Sequence, residues 1–257
     1  MSILKKYQKS ISLRDFSPPI LNRVVRVIKR KMGIPMPEVW VNNYFIDPVV
    51  LDHIKKINSS AQYCEDLILY ALLNFKKSGF YIDIGANNPS IISNTEFFYN
   101  LGWSGINIEP DPHLLEKFEI VRSRDINLNL GIGSEHGELD FYRLSADTLS
   151  TFSKDAVKEY INDGHKILDI LKVPVRSLAE VFKEHAEGKD VDFMSIDVEG
   201  FEIEVLNSND WNNYRPKIII LEINQNPTIL LTYLNSIKYK LVFNNQTNAI
   251  FLDLGIN

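Results

Sequence analysis

From residue 80 onward, short apolar runs alternate with stretches whose apolar side chains recur every three or four positions. The runs Phe80–Ile84, 105–108, 126–132 and Val191–Ile196 have the length and continuity of strands buried on both faces. Helical spacing follows them at 93–100, at Pro112–Val121, at 178–184 and at 201–206. Gly102 ends the first of these helices, and Glu109-Pro110 stops the second strand. Such alternation predicts a parallel, doubly wound sheet with helices on both faces.

Other stretches complete this frame. Residues 217–223 form the most continuously apolar run, which predicts a central strand ending near Glu222 and Asn224. Segments 239–243 and 249–252 flank a polar run, so they read as an antiparallel pair closing one sheet edge. Residues 138–144 alternate as a strand outside the main sheet, and 173–176 form another short strand. Between them, 145–172 is polar, weakly periodic and long for a plain connection, which makes it a candidate lid over a ligand crevice. Upstream, Leu51, Ile54, Ile57, Leu67, Ile68, Ala71 and Leu72 mark one or two helices over 51–75.

At 257 residues the chain has room for one large domain with an appended segment. We divide it into a basic helical arm and connector over 1–50 and a main domain over 51–257, with its core at 80–257. A single cysteine, Cys64, excludes an intrachain disulfide and a cysteine-based zinc cluster, and it suits a reducing compartment. The sequence has neither an apolar run long enough to span a bilayer nor a secretion signal, so a cytoplasmic location is expected.

The net charge of −5 conceals an asymmetry: residues 1–31 carry nine cations against Asp15 alone, or +8, leaving −13 for the rest. Ile20, Leu21, Val24, Val25, Val27 and Ile28 interleave with those cations at helical spacing. An arm of this kind suits packing on its own domain or on a partner subunit, as in a homodimer. It also suits peripheral contact with the inner face of a membrane. The acidic body argues against nucleic acid, whose phosphates would need a basic groove in the main domain.

Candidate chemistry lies at the strand ends. Asp83, Glu109, Asp197 and Glu222 each fall at the carboxyl end of an expected strand, where open α/β sheets bind ligands. Glu109 stands where an acid can accept hydrogen bonds from both ribose hydroxyls, a placement shared by NAD and other adenosine cofactors. A pyrophosphate turn would need G-x-G-x-x-G, yet after Gly85 the loop has Asn87 and Pro89. A cofactor without phosphates but with an ammonium and a carboxylate fits this loop better, Asp83 facing its positive end.

Together, YIDIGANN, IEPDP, LGIG, SIDVEGFE and IIILEIN resemble the FkbM family of S-adenosylmethionine-dependent methyltransferases, over roughly residues 80–224. The resemblance implies a Rossmann-like class I methyltransferase fold: a mostly parallel seven-stranded sheet with an antiparallel C-terminal strand. It also implies O-methylation of a hydroxyl, usually on a sugar or natural-product scaffold. By the same resemblance, Asp83, Gly85, Ala86 and Asn87 line the methionine part of the cofactor. Ser93 and Asn94 face its carboxylate, Glu109 the ribose, and Asn129 or Leu130 the adenine.

An aliphatic hydroxyl needs a proton acceptor or a metal to attack at neutral pH. Asp197 is the first candidate for that base, and it also borders the cofactor; Glu199 and Glu222 follow. Asp197 and Glu222 are oxygen ligands of the kind that hold Mg²⁺. Glu202 reads as a helix-terminus acid, His165 as a solvent-facing loop residue of the lid segment with a base as its alternative role, and His113 as a residue near the cofactor on its adenine side. The expected acceptor is a carbohydrate or glycan, such as a cell-surface polysaccharide or glycolipid precursor. The competing readings are a nicotinamide-dependent oxidoreductase, which the missing glycines oppose, and a binding module that kept the fold without the catalysis.

Overall fold

The protein is described here by a computed structural model covering residues 59–255. The arm, the connector and the start of the 51–75 region lie outside the described residues. Ten strands and seven α-helices follow in chain order: α1 (Glu65–Leu72), β1 (Phe80–Ile84), α2 (Glu96–Asn100), β2 (Ser104–Ile108), α3 (Pro112–Val121), β3 (Ile126–Leu128), β4 (Gly131–Ile132), β5 (Gly137–Leu144), α4 (Lys154–Asn162), β6 (Ile167–Arg176), α5 (Leu178–His185), β7 (Val191–Ile196), α6 (Glu202–Asn207), β8 (Ile218–Glu222), α7 (Pro227–Ser236), β9 (Tyr239–Asn244) and β10 (Asn248–Asp253).

Seven strands form the main sheet in the order β3-β2-β1-β7-β8-β10-β9, and the C-terminal strand β10 is antiparallel to both neighbours. This order and the reversed last strand make a Rossmann-like class I methyltransferase fold. Side chains alternate between two cores. Ile82, Ile84, Ile106, Ile108, Met194 and Ile196 meet the face covered by α5, α6 and α7. Tyr81, Phe193, Ile218, Ile220 and Ile250 meet the other face, under α1, Phe98 and Trp103. Burial on both faces is why these strands read as unbroken apolar runs rather than as alternating ones.

Register decides what meets at the sheet's carboxyl edge. Ile84 lies opposite both Ile108 and Ile196, and Ile196 lies opposite Leu221. Residues 85, 109, 197 and 222 therefore leave the sheet at one level. Antiparallel β10 places Asn248 beside Glu222, which carries the turn before it to the same edge.

Several expectations need correction. The strand expected over 126–132 is two: β3 ends at Leu128, and Gly131–Ile132 pairs with β6 in a separate three-stranded sheet, β4-β6-β5. Between them the Asn129 amide donates to the carbonyls of Glu109 and Pro110, at 2.8 and 2.9 Å, turning the chain out of the main sheet. The strand expected at 173–176 begins at Ile167 and pairs along β5. The helix expected from 93 begins at Glu96: Ser93 lies in the turn before it, its Oγ accepting from the amides of Thr95 and Glu96. Helix α7 had no counterpart in the pattern. Among the described residues, no helix is long and apolar enough to cross a membrane.

Candidate functional site

A cavity of about 560 Å³ opens at the carboxyl edge of the main sheet, within the size range of small-molecule sites. Its lining includes Asp83, Gly85, Ala86, Asn87, Ser93, Asn94, Glu109, Asp197, Glu199 and Glu222, which are all of the expected site residues except the adenine-side pair Asn129 and Leu130. The Asn129 amide is engaged with the turn after β2, and Leu130 is buried in the core beneath the sheet.

On one side, Glu109 is buried, and its two oxygens accept from the backbone amides of Asn87 and Asp111, each at 2.7 Å. Asn87 reaches this position with φ of +47°, a left-handed conformation that asparagine tolerates better than most residues. Asp83, also buried, accepts from Thr95 Oγ1 at 2.8 Å, and burial raises its pKa. Behind this loop Arg122 is sealed from solvent; its guanidinium donates to the Pro89 carbonyl and the Tyr81 hydroxyl, and it fixes the path of residues 88–93. The Asn94 amide donates to Ser195 Oγ at 3.1 Å.

On the other side, carboxylate oxygens of Asp197, Glu199 and Glu222 lie within 4.8 Å of one another. Three like charges at that range cannot all be ionised. Burial is the first cause raising all three pKa values; mutual repulsion adds to it at Glu199 and Glu222. Glu222 is the most buried of the three by its surface, and burial followed by repulsion from Asp197 and Glu199 raises its pKa most strongly, which favours its protonated form beside Asp197. Asp197 is open to the cavity while protein surrounds the cavity itself, so it is both reachable and poorly solvated. The Asn224 amide donates to Glu222 Oε1 at 2.6 Å.

The loop carrying two of these acids is shaped by its own residues. Glu199 and Gly200 have φ of +52° and +89°, and the Glu202 carboxylate closes the turn by accepting from the Gly200 amide at 3.0 Å. Glu202 is thus a structural cap, as its position at the start of α6 suggested. Residues of the 145–172 segment brace the same turn: Thr151 Oγ1 donates to the Glu199 carbonyl at 2.9 Å, and the Tyr160 hydroxyl donates to the Glu199 carboxylate. Asp147, Thr148, Leu149, Ser150 and Phe152 line the cavity, so the lid candidate forms one of its walls. His113 and His165 are not in the lining.

Sequence reasoning missed Tyr160, Thr151, Gln246 and Thr247, the last two reaching the lining from the β9–β10 turn. Tyr160 sat unremarked in KDAVKEYIN, where the apolar spacing of Ala156, Val157 and Tyr160 marks a packed helix face.

Burial also raises Asp66 to about 6 and Glu109 and Glu202 to about 7, in each case against hydrogen bonds that lower the value. The folded chain keeps these protons where the unfolded chain, with carboxyls titrating near ~4, has released them. Stability from these groups is therefore full below about pH 4 and is lost as pH rises towards 7. Ligand-free protein is expected to melt at higher temperature near pH 5.5 than near pH 7.5; a higher midpoint at the alkaline value would contradict this.

A family model described as the methyltransferase FkbM domain matches residues 83–241. No curated protein matches the chain. Among solved structures, the chain is similar to the methyltransferase FkbM from Methylobacillus flagellatus KT, with 14% identity, TM-score 0.44, and 93% of this chain and 72% of that one covered. A methyltransferase from Geobacter sulfurreducens shares 11% identity at TM-score 0.40, covering 95% of this chain and 93% of its own. A Burkholderia thailandensis 1,6-didemethyltoxoflavin-N1-methyltransferase, solved with S-adenosylhomocysteine, shares 10% at TM-score 0.39, covering 95% and 92%.

Proposed function

The chain belongs to the FkbM methyltransferase family, and we propose that it methylates a hydroxyl of a carbohydrate or glycan, using S-adenosylmethionine, with Asp197 accepting the hydroxyl proton. The observation that carries this reading is the meeting of two differently built acidic groups in one cavity. Glu109 and Asp83 are fixed by backbone and hydroxyl donors, whereas Asp197, Glu199 and Glu222 crowd carboxylate oxygens within 4.8 Å of one another.

The residues fit the cofactor by their chemistry. Asp83 is an acid for the ammonium, Glu109 offers oxygens to ribose hydroxyls, and the sequence lacks the glycines a pyrophosphate would demand. Ser93 and Asn94 border the place for the carboxylate. When bound, S-adenosylmethionine supplies an electrophilic methyl group on sulfur. The rest of the work belongs to the chain. Glu222, protonated, holds Asp197 by a hydrogen bond and leaves it the acid best able to stay ionised. Asp197 then takes the acceptor's proton as the oxygen attacks. Tyr160 holds the Glu199 carboxylate in place.

A second reading is favoured by the 4.8 Å grouping: Mg²⁺ on Asp197 and Glu222, with Glu199 third, would lower the acceptor's pKa. Both readings are tested by screening glycans and nucleotide sugars with labelled methyl donor, with and without chelator. Label on a glycan that survives chelation is expected. Loss on chelation, restored by Mg²⁺, would favour the metal. Label on none of them, with cofactor bound, would sink the carbohydrate reading.

A further inference from the structure

We propose that the cavity selects its acceptor by charge: the sugar ring that enters is neutral or carries an ammonium group, and rings bearing a carboxylate or phosphate are turned away. This rests on the methyltransferase reading above and names the substrate class of the same cavity.

Among the described residues that line it, the acidic and basic side chains are all acids, Asp83, Glu109, Asp147, Asp197, Glu199 and Glu222, with no Lys, Arg or His. The nearby guanidiniums are committed elsewhere. Arg122 is sealed behind the 88–93 loop on the Pro89 carbonyl and the Tyr81 hydroxyl. Arg143 is tied to Asp111 at 2.7 Å and to Asp169 at 2.8 Å. Among the described residues, no cation in the lining is placed to neutralise an acceptor's phosphate or carboxylate. A cofactor held by Asp83 and Glu109 offsets charge on its own side and leaves the negative charge of Asp147 and Asp197, beside the acids Glu199 and Glu222, around the remaining space.

Like charges brought together with little water between them repel strongly, and an interface rejects a wrong partner in this way as effectively as it attracts the right one. Hydroxyls, by contrast, find neutral partners in Asn224, Gln246 and Thr247, and a flat apolar ring face finds Phe152. An ammonium group would meet carboxylates on several sides.

Asp147 is the position for altering this filter without touching the chemistry. It lies exposed in the turn after β5, its carboxylate accepting from the Thr148 amide at 2.9 Å, and it has no part in the carboxylate trio. The test starts with calorimetric titration of S-adenosylmethionine into the full chain and into Asp147→Lys. Labelled methyl transfer is then measured to four probes: a methyl hexoside, its amino-sugar, its uronic acid and its 6-phosphate. The expected result is transfer to the first two and at least about 10-fold slower transfer to the last two. Asp147→Lys narrows that gap, read as the ratio of the uronic-acid and phosphate rates to the neutral rate. Equal transfer to the uronic acid or the phosphate overturns the charge filter. So does inertness of all four probes in a chain that binds the cofactor, whereas a chain giving no heat with S-adenosylmethionine refutes the methyltransferase reading itself.

Discussion

Asp197→Asn is expected to slow methyl transfer by about 10²–10⁴-fold, the range a positioned proton acceptor contributes, and to leave cofactor affinity within a few-fold. The amide keeps the size of the side chain and still accepts the Glu222 proton, but it cannot take one from the acceptor. Asp197 is the best placed of the three acids because register brings it level with Glu222 while its own surface faces the cavity. Its pKa is raised by burial first, so the acid limb of the pH profile lies above the ordinary aspartate range. Transfer falls as pH drops through that limb and the base is protonated. Steady-state rates across pH for both proteins check this; a variant within a few-fold of wild type would move the base to Glu199 or Glu222.

The second large effect is expected at Gly85, through packing. Its φ is +76°, and a Cβ added there would lie 1.8 Å from the Asp197 carbonyl oxygen and 3.2 Å from Val198 Cγ1. Those neighbours have little room, because the Asp197 amide donates to the Ile84 carbonyl at 3.0 Å and the Gly85 amide to Ile108 at 3.0 Å. Gly85→Ala is expected to cost about 1–2 kcal/mol for the left-handed conformation and about 1–3 kcal/mol for overpacking. It also pushes the Asp197 loop away from β1. Urea unfolding and methyl transfer measured together check both consequences. A Gly85→Ala protein with unchanged midpoint and rate would show that the two strand ends are not held this closely.

That glycine shows where the sequence was legible and where it was not. Gly85 read as a residue lining the cofactor, and it does line the cavity, but its necessity comes from the close approach of Asp197, which no local pattern announces. Strands β1 and β7 and helix α3 were readable to the residue, since doubly buried runs and Pro112 bound them sharply. The convergence of Asp83, Glu109, Asp197 and Glu222 was readable too, as strand-end acids on a parallel sheet share one edge.

Elements governed by distant partners were not. Ile167 to Lys172 became strand only by pairing with β5, and Leu168 and Ile170 stay exposed there, so no buried face marked it. Asn129 looked like a cofactor residue and proved to hold two carbonyls across the turn after β2. Helix α7 carried signals that were available, Pro227 at its first turn with Leu230 and Leu234 spaced along its buried face.

The central claim is that this cavity holds S-adenosylmethionine, with Glu109 as one of its anchors. Calorimetric titration of the full chain with S-adenosylmethionine, and separately with NADH, tests it most directly. The account predicts one S-adenosylmethionine per chain, no heat from NADH, and affinity at least about 10-fold weaker in Glu109→Gln, as expected when hydrogen bonds to a charged acceptor are lost. Binding of NADH in place of S-adenosylmethionine, or full affinity in Glu109→Gln, would contradict it.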